Sequence, residues 1–406
     1  MRPVDAGDHW LRSVLVAMGS MGVTAGFSRF SFAIALPQMT EDLFHSYTTA
    51  GAMVALNFGT YFVVIALIRR NASHVDPSAL EKCGVGLTAV GLAVVALAPT
   101  TPVAAAGTVI LGIAAGGGYV PGTSIIVAVA PPQRRGVAMG IGLAGVGLSI
   151  VFTGQVLALF ERWGVEPAWR AVFGVQAALG AVILLFAVVY LPTLKPAAGT
   201  PRATGALRRL PGGPALLATY GLFGLAISIY TGYLVAATRD DRGFSPAHSL
   251  LLSSLMGGAM AFALVVGRLS DAIGRRWTVV IGTSVIALGC LSVPWAGEPW
   301  LALSAAVAGA FINGTGAAVG AYLGDHLTTA EVTESMSVLT LVMALAQVVA
   351  PPVGGWLADA TGSFTATFLL AVALAVAAAL ACARLPDDQR GRRSRAGRGL
   401  RAPLAE

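Results

Sequence analysis

Charged side chains are scarce in this sequence. Only 11% of its 406 residues are Asp, Glu, Lys or Arg, whereas soluble proteins carry about 25%. Hydrophobic residues make up 56% of the chain, and the mean hydropathy is +0.77. A soluble protein of this length needs a charged surface that so few charges cannot cover. The composition therefore excludes a soluble enzyme, a soluble nucleic-acid-binding protein and a disordered chain, and it predicts a polytopic membrane protein.

Cysteines and catalytic patterns are also scarce. The three cysteines, Cys83, Cys290 and Cys382, are far apart and lie in or beside apolar runs. They indicate neither a disulfide framework nor a metal site. The sequence has no phosphate-binding loop, no metal-ligand spacing and no Ser/His/Asp set that could converge in a membrane. We therefore expect no enzyme activity, no metal and no cofactor.

Long apolar runs are what the sequence does contain. A membrane-spanning helix needs about 20 mostly apolar residues, and the runs lack the alternation of a membrane β-barrel. The first run carries Arg29 and is too long for a signal-peptide core, so we expect it to be retained. The division between spans three and four rests only on Pro99 and Pro102. The twelve predicted helices are 13–38, 48–68, 83–99, 102–130, 137–160, 170–191, 214–237, 249–267, 277–296, 300–325, 335–358 and 364–384.

Basic residues and tryptophans predict the topology. With the N-terminus in the cytoplasm, the loops on the other side contain few basic residues, namely Arg162, Arg170, Arg239 and Arg242. This distribution predicts that both termini are cytoplasmic, in the cell (inner) membrane. All seven tryptophans fall at predicted helix ends, where their rings prefer the membrane interface.

The longest internal polar stretch divides the chain into halves. We expect an N-terminal six-helix bundle at 1–191, a cytoplasmic linker at 192–213, a C-terminal six-helix bundle at 214–385 and a basic tail at 386–406. The basic tail favours contact with lipid headgroups over nucleic acid. The expected partners are a small-molecule substrate and the lipid bilayer, and we expect a monomer.

The loop between spans eight and nine carries a recognisable motif. Residues 267–276 read GRLSDAIGRR, which resembles the G-x-x-x-D-x-x-G-R-R/K signature of the major facilitator superfamily. Trp169-Arg170 and the stretch 350–362 are similar to that family too. The first two spans resemble YbfB/YjiJ-type permeases. The resemblance implies two six-helix halves and alternating access, with a cytoplasmic latch that forms in one state and breaks in the other.

The residues of this latch can be read physically. The two glycines of the motif permit a tight turn, the aspartate can sit near a helix N-terminus, and the arginines can pair with Glu331 or Glu334. The alternative is that these are ordinary basic residues of a short cytoplasmic turn. The predicted latch residues are Gly267, Asp271, Gly274, Arg275, Arg276 and Glu334.

Other features depart from the family. The first-half loop at 69–77 keeps charge without the glycine and aspartate spacing, and span four has no embedded arginine. Span five is rich in glycine but has no proline, so the G-P-x-x-G-G pattern of drug–proton antiporters is missing. These departures count against drug efflux.

Arg29 is the only charged residue that we predict deep in a span. Small residues (Gly22, Ala25, Gly26 and Ala33) share its predicted helix face, so it should point into protein rather than lipid. Every Asp and Glu falls in a predicted loop or near a predicted helix end, with Asp325 the deepest. We therefore expect Arg29 to bind an anionic substrate. The alternative is a structural arginine that binds helix carbonyls or reaches outward to Glu41 or Asp42.

Several polar residues could line the same cavity. Helices one, four, seven and ten line the central cavity in the family, which favours residues on spans four, seven and ten. For each residue alone, hydrogen bonding between helices is the alternative role. Together with Arg29, the predicted substrate-binding residues are Asn57, Tyr61, Tyr119, Tyr230 and Asn313.

A predicted core without a carboxylate or histidine also limits energy coupling. A proton-driven transporter needs a titratable group in its pathway, so protonation would have to occur on the substrate or at a helix end. Otherwise the protein works by exchange or facilitated diffusion. The hypothesis is a transporter of a small anionic or polar organic solute. The alternatives are an exporter of drugs or natural products and a non-transporting receptor or scaffold.

Overall fold

The structure is a computed structural model that describes residues 9–71, 76–194 and 205–386. Eleven of the described helices are long and apolar enough to cross a membrane, and a bent pair makes up to twelve. A four-residue helix, Ala206–Arg209, precedes the seventh. The spans are α1 (Trp10–Phe44), α2 (Tyr47–Asn71), α3 (Pro77–Ala96), α4 (Thr101–Val129), α5 (Arg135–Arg162), α6 (Ala168–Tyr190), α7 (Gly213–Asp241), α8 (Pro246–Phe262 and Val265–Ile273), α9 (Arg275–Trp295), α10 (Glu298–His326), α11 (Thr329–Thr361) and α12 (Thr365–Cys382).

The predicted all-helical membrane fold is confirmed, although two spans, α1 and α8, are less regular than expected. The weakly divided spans three and four are two separate helices, α3 and α4. The bent span is α8, whose two segments meet at 56° around a short 3₁₀ turn. Gly257 and Gly258 lie just before this turn, and adjacent small residues are a usual cause of helix kinks.

Helix α1 is less regular than the predicted span. Residues Gly22–Phe27 form π-helical turns, in which each N–H bonds five residues back. A Cβ at Gly22 would lie 2.9 Å from the Gly145 carbonyl oxygen, so the glycine side of this turn packs against α5. Arg29 reaches α2 instead. The expectation that Arg29 shares one face with Gly22 and Gly26 is wrong, because the wider π turns shift the helical register.

One end of the bundle is defined by the linker, and we call it the linker face. There the first turn of α3 is tied to the chain leaving α6. Asp76 Oδ1 caps Ser78 N at 2.8 Å and accepts from Leu194 N at 3.2 Å. Lys82 Nζ donates to the Leu191 carbonyl at 3.1 Å. Residues 195–204 and the basic tail from 387 lie outside the described residues, so the predicted domain boundaries stay predictions.

The other end of the bundle, the opposite face, buries one predicted interfacial tryptophan. Trp169 is fully buried, and its Nε1 donates to Asp42 Oδ2 at 3.1 Å. Arg170 pairs with the same carboxylate at 3.3 Å and donates to the Ala98 carbonyl at 2.7 Å. Trp169 thus lies at the start of α6 as predicted, but its indole is buried inside the N-terminal half rather than exposed at a membrane interface.

Polar side chains join the two halves at the opposite face. Arg239 Nη1 of α7 pairs with Glu161 Oε1 of α5 at 2.9 Å. Asp359 of α11 accepts hydrogen bonds from Thr48 N at 2.7 Å, from the Thr48 hydroxyl at 2.6 Å and from Tyr47 N at 3.0 Å. A carboxylate from one half thus caps α2 of the other half, where the helix dipole favours negative charge.

Glycines allow the backbones of the halves to approach closely. A Cβ at Gly147 of α5 would lie 2.4 Å from the carbonyl oxygen of Gly257 in α8. A Cβ at Gly355 of α11 would similarly overlap the carbonyl of Tyr47. The glycine-rich α5 is therefore a packing surface that contacts α1 on one side and α8 on the other. The Gly355 contact lies near the opposite face and the Gly147 contact about midway along α5, so together they hold the halves closed towards that face.

We expect Gly147→Ala to open this face. The added methyl group meets backbone atoms that no rotamer change can move aside, so the closed arrangement loses population. Spin labels on Trp163→Cys and Trp300→Cys, in a Cys83→Ser background, would report a longer distance across the opposite face. Gly140→Ala is the matched control, because a Cβ there meets nothing within 4 Å. Equal distances in both variants would contradict this account of α5.

Candidate functional site

Arg29 lies just after the π-helical turns of α1 and stacks on aromatic rings of α2. Its Cζ is 3.8 Å from the centroid of the Tyr61 ring and 5.6 Å from that of Phe58. The two rings are themselves buried, at 3% and 8% exposure. Aromatic faces attract a cation through their quadrupole. The guanidinium is thus held inside protein against two aromatic rings.

Asn57 fixes the backbone beside this arginine. The side chain is 3% exposed, and its Nδ2 donates to the Ser28 carbonyl at 3.1 Å. Asn57 and Tyr61 are one turn apart on α2 and therefore share a face. Among the described residues, the buried Asn57 Oδ1 accepts no hydrogen bond. One α2 face thus supplies an aromatic platform, a link to α1 and an acceptor atom.

The aromatic platform lies at the boundary between the halves. Phe58 and Tyr61 form a buried cluster with Ala115 of α4 and Ala344 of α11, and Val348 packs against it. Residues of the N-terminal half and of α11 therefore share one apolar wall around the guanidinium. Any movement of α11 against α2 changes what Arg29 faces.

The structure brings together three of the six predicted binding residues, Arg29, Asn57 and Tyr61. Tyr230 is fully buried, and a Cβ at Gly289 of α9 would lie 3.5 Å from its ring, so it packs within the C-terminal half. Asn313 is half-buried in α10. The side chain of Tyr119 lies outside the described residues.

Glu81 is a buried carboxylate that the predicted span limits placed in the loop before span three. The residue is fully buried, and it lies inside α3 because this helix begins at Pro77 rather than at residue 83. Neither carboxylate oxygen has a hydrogen-bond partner among the described residues. The prediction of a core without a buried carboxylate is therefore wrong, and the limit on energy coupling loses the premise from which it was derived.

The motif between α8 and α9 uses its two glycines differently from expectation. Gly274 has a φ of +97°, a conformation that favours glycine, and it forms the junction itself. Gly267 lies within the second segment of α8, and a Cβ there would meet nothing within 4 Å. Asp271 lies in the last turn of that segment, not at a helix N-terminus. The turn therefore rests on Gly274 alone.

The arginines of the motif bind within the C-terminal half. Arg275 pairs with Asp271 and, through its Nε at 3.3 Å, with Asp325 Oδ2 of α10. Arg276 donates to the Ala383 carbonyl at the end of α12. These contacts tie α8, α9, α10 and α12 together at the linker face.

The predicted pairing of the motif with Glu331 is not the one in the structure. Glu331 caps α11 through a reciprocal pair of hydrogen bonds with Thr328, and it accepts from Arg209 at 3.5 Å. Glu334 is half-buried in the same helix. The part of Glu334 in a latch stays a prediction.

Sequence reasoning missed the residues that close the opposite face. Asp359 carried a signal, since it stands in the stretch that resembles the family. Tyr47 carried none, although its hydroxyl bonds to Asp240 and its ring lies 4.7 Å from that of Phe364. Such pairs join distant parts of the sequence and have no local pattern.

The comparisons with known proteins now identify the family. Residues 21–383 match the family described as the uncharacterised MFS-type transporter YbfB. The chain belongs to this family of the major facilitator superfamily. It is thus a multi-pass membrane transporter, which is not an enzyme. No curated protein matches the sequence significantly.

Solved structures share the fold of this transporter at low sequence identity. A point mutant of the nucleoside transporter NupG has a TM-score of 0.76 at 14% identity, with 92% of this chain and 98% of that chain covered. The xylose transporter XylE from E. coli, in a partially occluded inward-open conformation, scores 0.73 at 16% identity, with 92% and 97% covered. A bacterial homologue of the human lysosomal transporter Spinster, inward-facing and unoccupied, scores 0.71 at 16% identity, with 92% and 97% covered.

A double-mutant cycle would measure the stacking of Arg29 on Tyr61. Buried cation–π contacts contribute about 2 kcal/mol, so Tyr61→Leu should destabilise the transporter more in the wild-type background than beside Arg29→Met. We expect a coupling free energy of about 1–2 kcal/mol from unfolding in detergent, with Tyr61→Phe close to wild type. Additive effects of the two substitutions would contradict the stacking.

The cap that Asp359 provides can be tested by accessibility. Loss of a helix cap costs about 1 kcal/mol, so Asp359→Ala should open the opposite face about fivefold more often. A cysteine at Ser254, between α5 and α8, should then react faster with a membrane-impermeant maleimide in a Cys83→Ser background. Glu298→Ala, which removes only an exposed pair with His248, is the control. Unchanged labelling in Asp359→Ala would show that the cap does not hold this face closed.

Proposed function

We propose that this transporter carries a small organic solute, anionic or polar, by alternating access, and that Arg29 binds it. The observation that carries the proposal is the guanidinium stacked on Tyr61 and Phe58 at the boundary between the halves. A guanidinium presents a planar fork of donors that matches a carboxylate in two parallel hydrogen bonds. The aromatic rings contact the flat face of the guanidinium, whereas a carboxylate would bind at its edge.

The surroundings of Arg29 suit selective binding. A charge in an apolar setting interacts strongly with an opposite charge, since little water screens it. The Oδ1 atom of Asn57 supplies a buried acceptor on the same helix as the aromatic platform. A solute with one anionic group and one hydrogen-bond donor would therefore match both residues.

The closed opposite face supports access from the linker face. Asp359, Tyr47 and the Arg239–Glu161 pair join the halves on one side. In the alternative state these contacts separate, and the latch at the linker face changes with them. The distribution of basic residues favours a cytoplasmic linker face in the cell membrane, and we propose that the protein works as a monomer.

Counter-flow in reconstituted vesicles tests this function. Vesicles that contain the wild-type or the Arg29→Ala protein would be loaded with unlabelled succinate or benzoate. Entry of the same compound in labelled form would then be followed. Labelled D-xylose would serve as the neutral probe. Hydrogen bonds to a charged group contribute about 1.5–3 kcal/mol, so we expect a ten- to hundredfold loss of carboxylate exchange in the variant. Arg12→Ala is the control, because Arg12 is exposed on the same helix.

Two outcomes would contradict the proposal. Carboxylate exchange that Arg29→Ala leaves unchanged would remove the proposed role of Arg29. Efflux of a hydrophobic dye, with no carboxylate or xylose exchange, would favour the drug-export alternative.

A further inference from the structure

Glu81 is a buried acid that the proposed solute site does not use. It lies in the second turn of α3, towards the linker face, and it is fully buried. A Cβ at Gly122 of α4 would lie 3.3 Å from Glu81 Oε2 and 2.7 Å from Met21 Cγ of α1. The carboxyl group therefore sits where α1, α3 and α4 meet.

The charged groups around Glu81 are directed elsewhere. Its neighbour Lys82 donates to the Leu191 carbonyl. On α1, Arg12 is exposed and Arg29 lies beyond the π-helical turns. On α6, Arg170 is at the opposite face and Tyr190 is at the linker end. On α4 the only titratable residue is Tyr119, whose side chain lies outside the described residues.

This environment favours an uncharged carboxyl group. An ionised carboxylate away from water is strongly disfavoured unless a cation or several donors compensate it. Among the described residues, Glu81 forms no ion pair, and the backbone N–H of Gly122 is a donor beside its carboxyl group without making a well-formed hydrogen bond. A titratable residue inside a membrane protein usually has a functional reason to be there.

We propose that Glu81 is the proton-binding site of this transporter and that its protonation is coupled to alternating access. When the opposite face is closed, Glu81 holds a proton on one carboxyl oxygen. In the other state this O–H bond breaks, the proton passes to water, and the carboxylate remains where water reaches it. The proposal rests on alternating access, which is part of the proposed function.

The helices around Glu81 can transmit such a change. Close packing of α3 on α4 relies on Gly84, where a Cβ would lie 3.0 Å from the Ala114 carbonyl oxygen. Pro121, next to Gly122, has no N–H and interrupts the hydrogen bonds of α4. Met21 directly precedes the π-helical turns of α1, and Arg29 follows about 12 Å further along this helix. Hydration of a charged Glu81 would thus displace the helix that carries Arg29.

A measurement without solute tests the coupling. Spin labels on Gln133→Cys and Arg268→Cys, exposed at the linker face of each half, would follow its opening in a Cys83→Ser background. We expect the distances of the otherwise wild-type protein to change between about pH 5 and about pH 8, a range that perturbed carboxyl groups reach. Glu81→Gln should show the low-pH distances at every pH, because its amide stays uncharged.

Controls make the outcome specific to Glu81. Glu298→Gln should respond to pH like wild type, because Glu298 pairs with His248 in a half-exposed position. Glu81→Asp keeps a carboxyl group and should move the midpoint of the pH response. If Glu81→Gln does not fold, this shift of the midpoint is the test instead. An unaltered pH response in Glu81→Gln, or no response in wild type, would overturn the proposal.

Vesicle experiments separate this proposal from the proposed function. With a carboxylate that exchanges, Glu81→Gln should retain counter-flow, which needs no driving force, and should lose accumulation driven by a pH gradient. Accumulation that persists in Glu81→Gln would contradict the proton site alone. If neither carboxylate nor xylose exchanges while the spin-label response depends on Glu81, the proposed solute is wrong and the proton site stands.

Discussion

The contact between the Arg29 guanidinium and the Tyr61 ring is the interaction on which the account depends. A cation inside a membrane protein is costly unless protein or water surrounds it. Here two aromatic rings hold it at the boundary between the halves, and Asn57 bonds to the carbonyl of the preceding residue. The π-helical turns before Arg29 set the direction of its side chain. The boundary that rearranges in the proposed transport cycle therefore carries the positive charge that we propose binds the solute.

Opening and closing are built from two kinds of contact. Glycine pairs such as Gly147 and Gly257 let backbones touch, and the carboxylate of Asp359 caps a helix of the other half. Neither contact contributes much free energy alone, and in the proposed alternating access both are lost together when the halves separate. Such contacts can therefore close the face and still be broken easily when it opens. At the linker face, Arg275 bridges Asp271 and Asp325, which makes the ends of α8, α9 and α10 one unit.

Composition and hydropathy were enough to predict the membrane fold, because the number of apolar runs follows directly from the thickness of the bilayer. Helix ends were less certain, and the error at α3 had a large effect: starting the span at residue 83 left Glu81 in a loop. A helix can carry one acid in its second turn when Asp76 caps it and Pro77 begins it. The π-helical turns of α1 could not be predicted from the sequence either, since a pattern of period 3.6 assumes a regular helix. Pairs such as Tyr47 with Asp240 join distant segments and required coordinates.

An experimental structure with an exchanged carboxylate bound would test the central claim most directly. The account predicts a carboxylate oxygen within about 3 Å of a guanidinium nitrogen of Arg29, with Tyr61 still stacked on the guanidinium. A solute bound wholly within the C-terminal half, beside Tyr230 and away from Arg29, would contradict it.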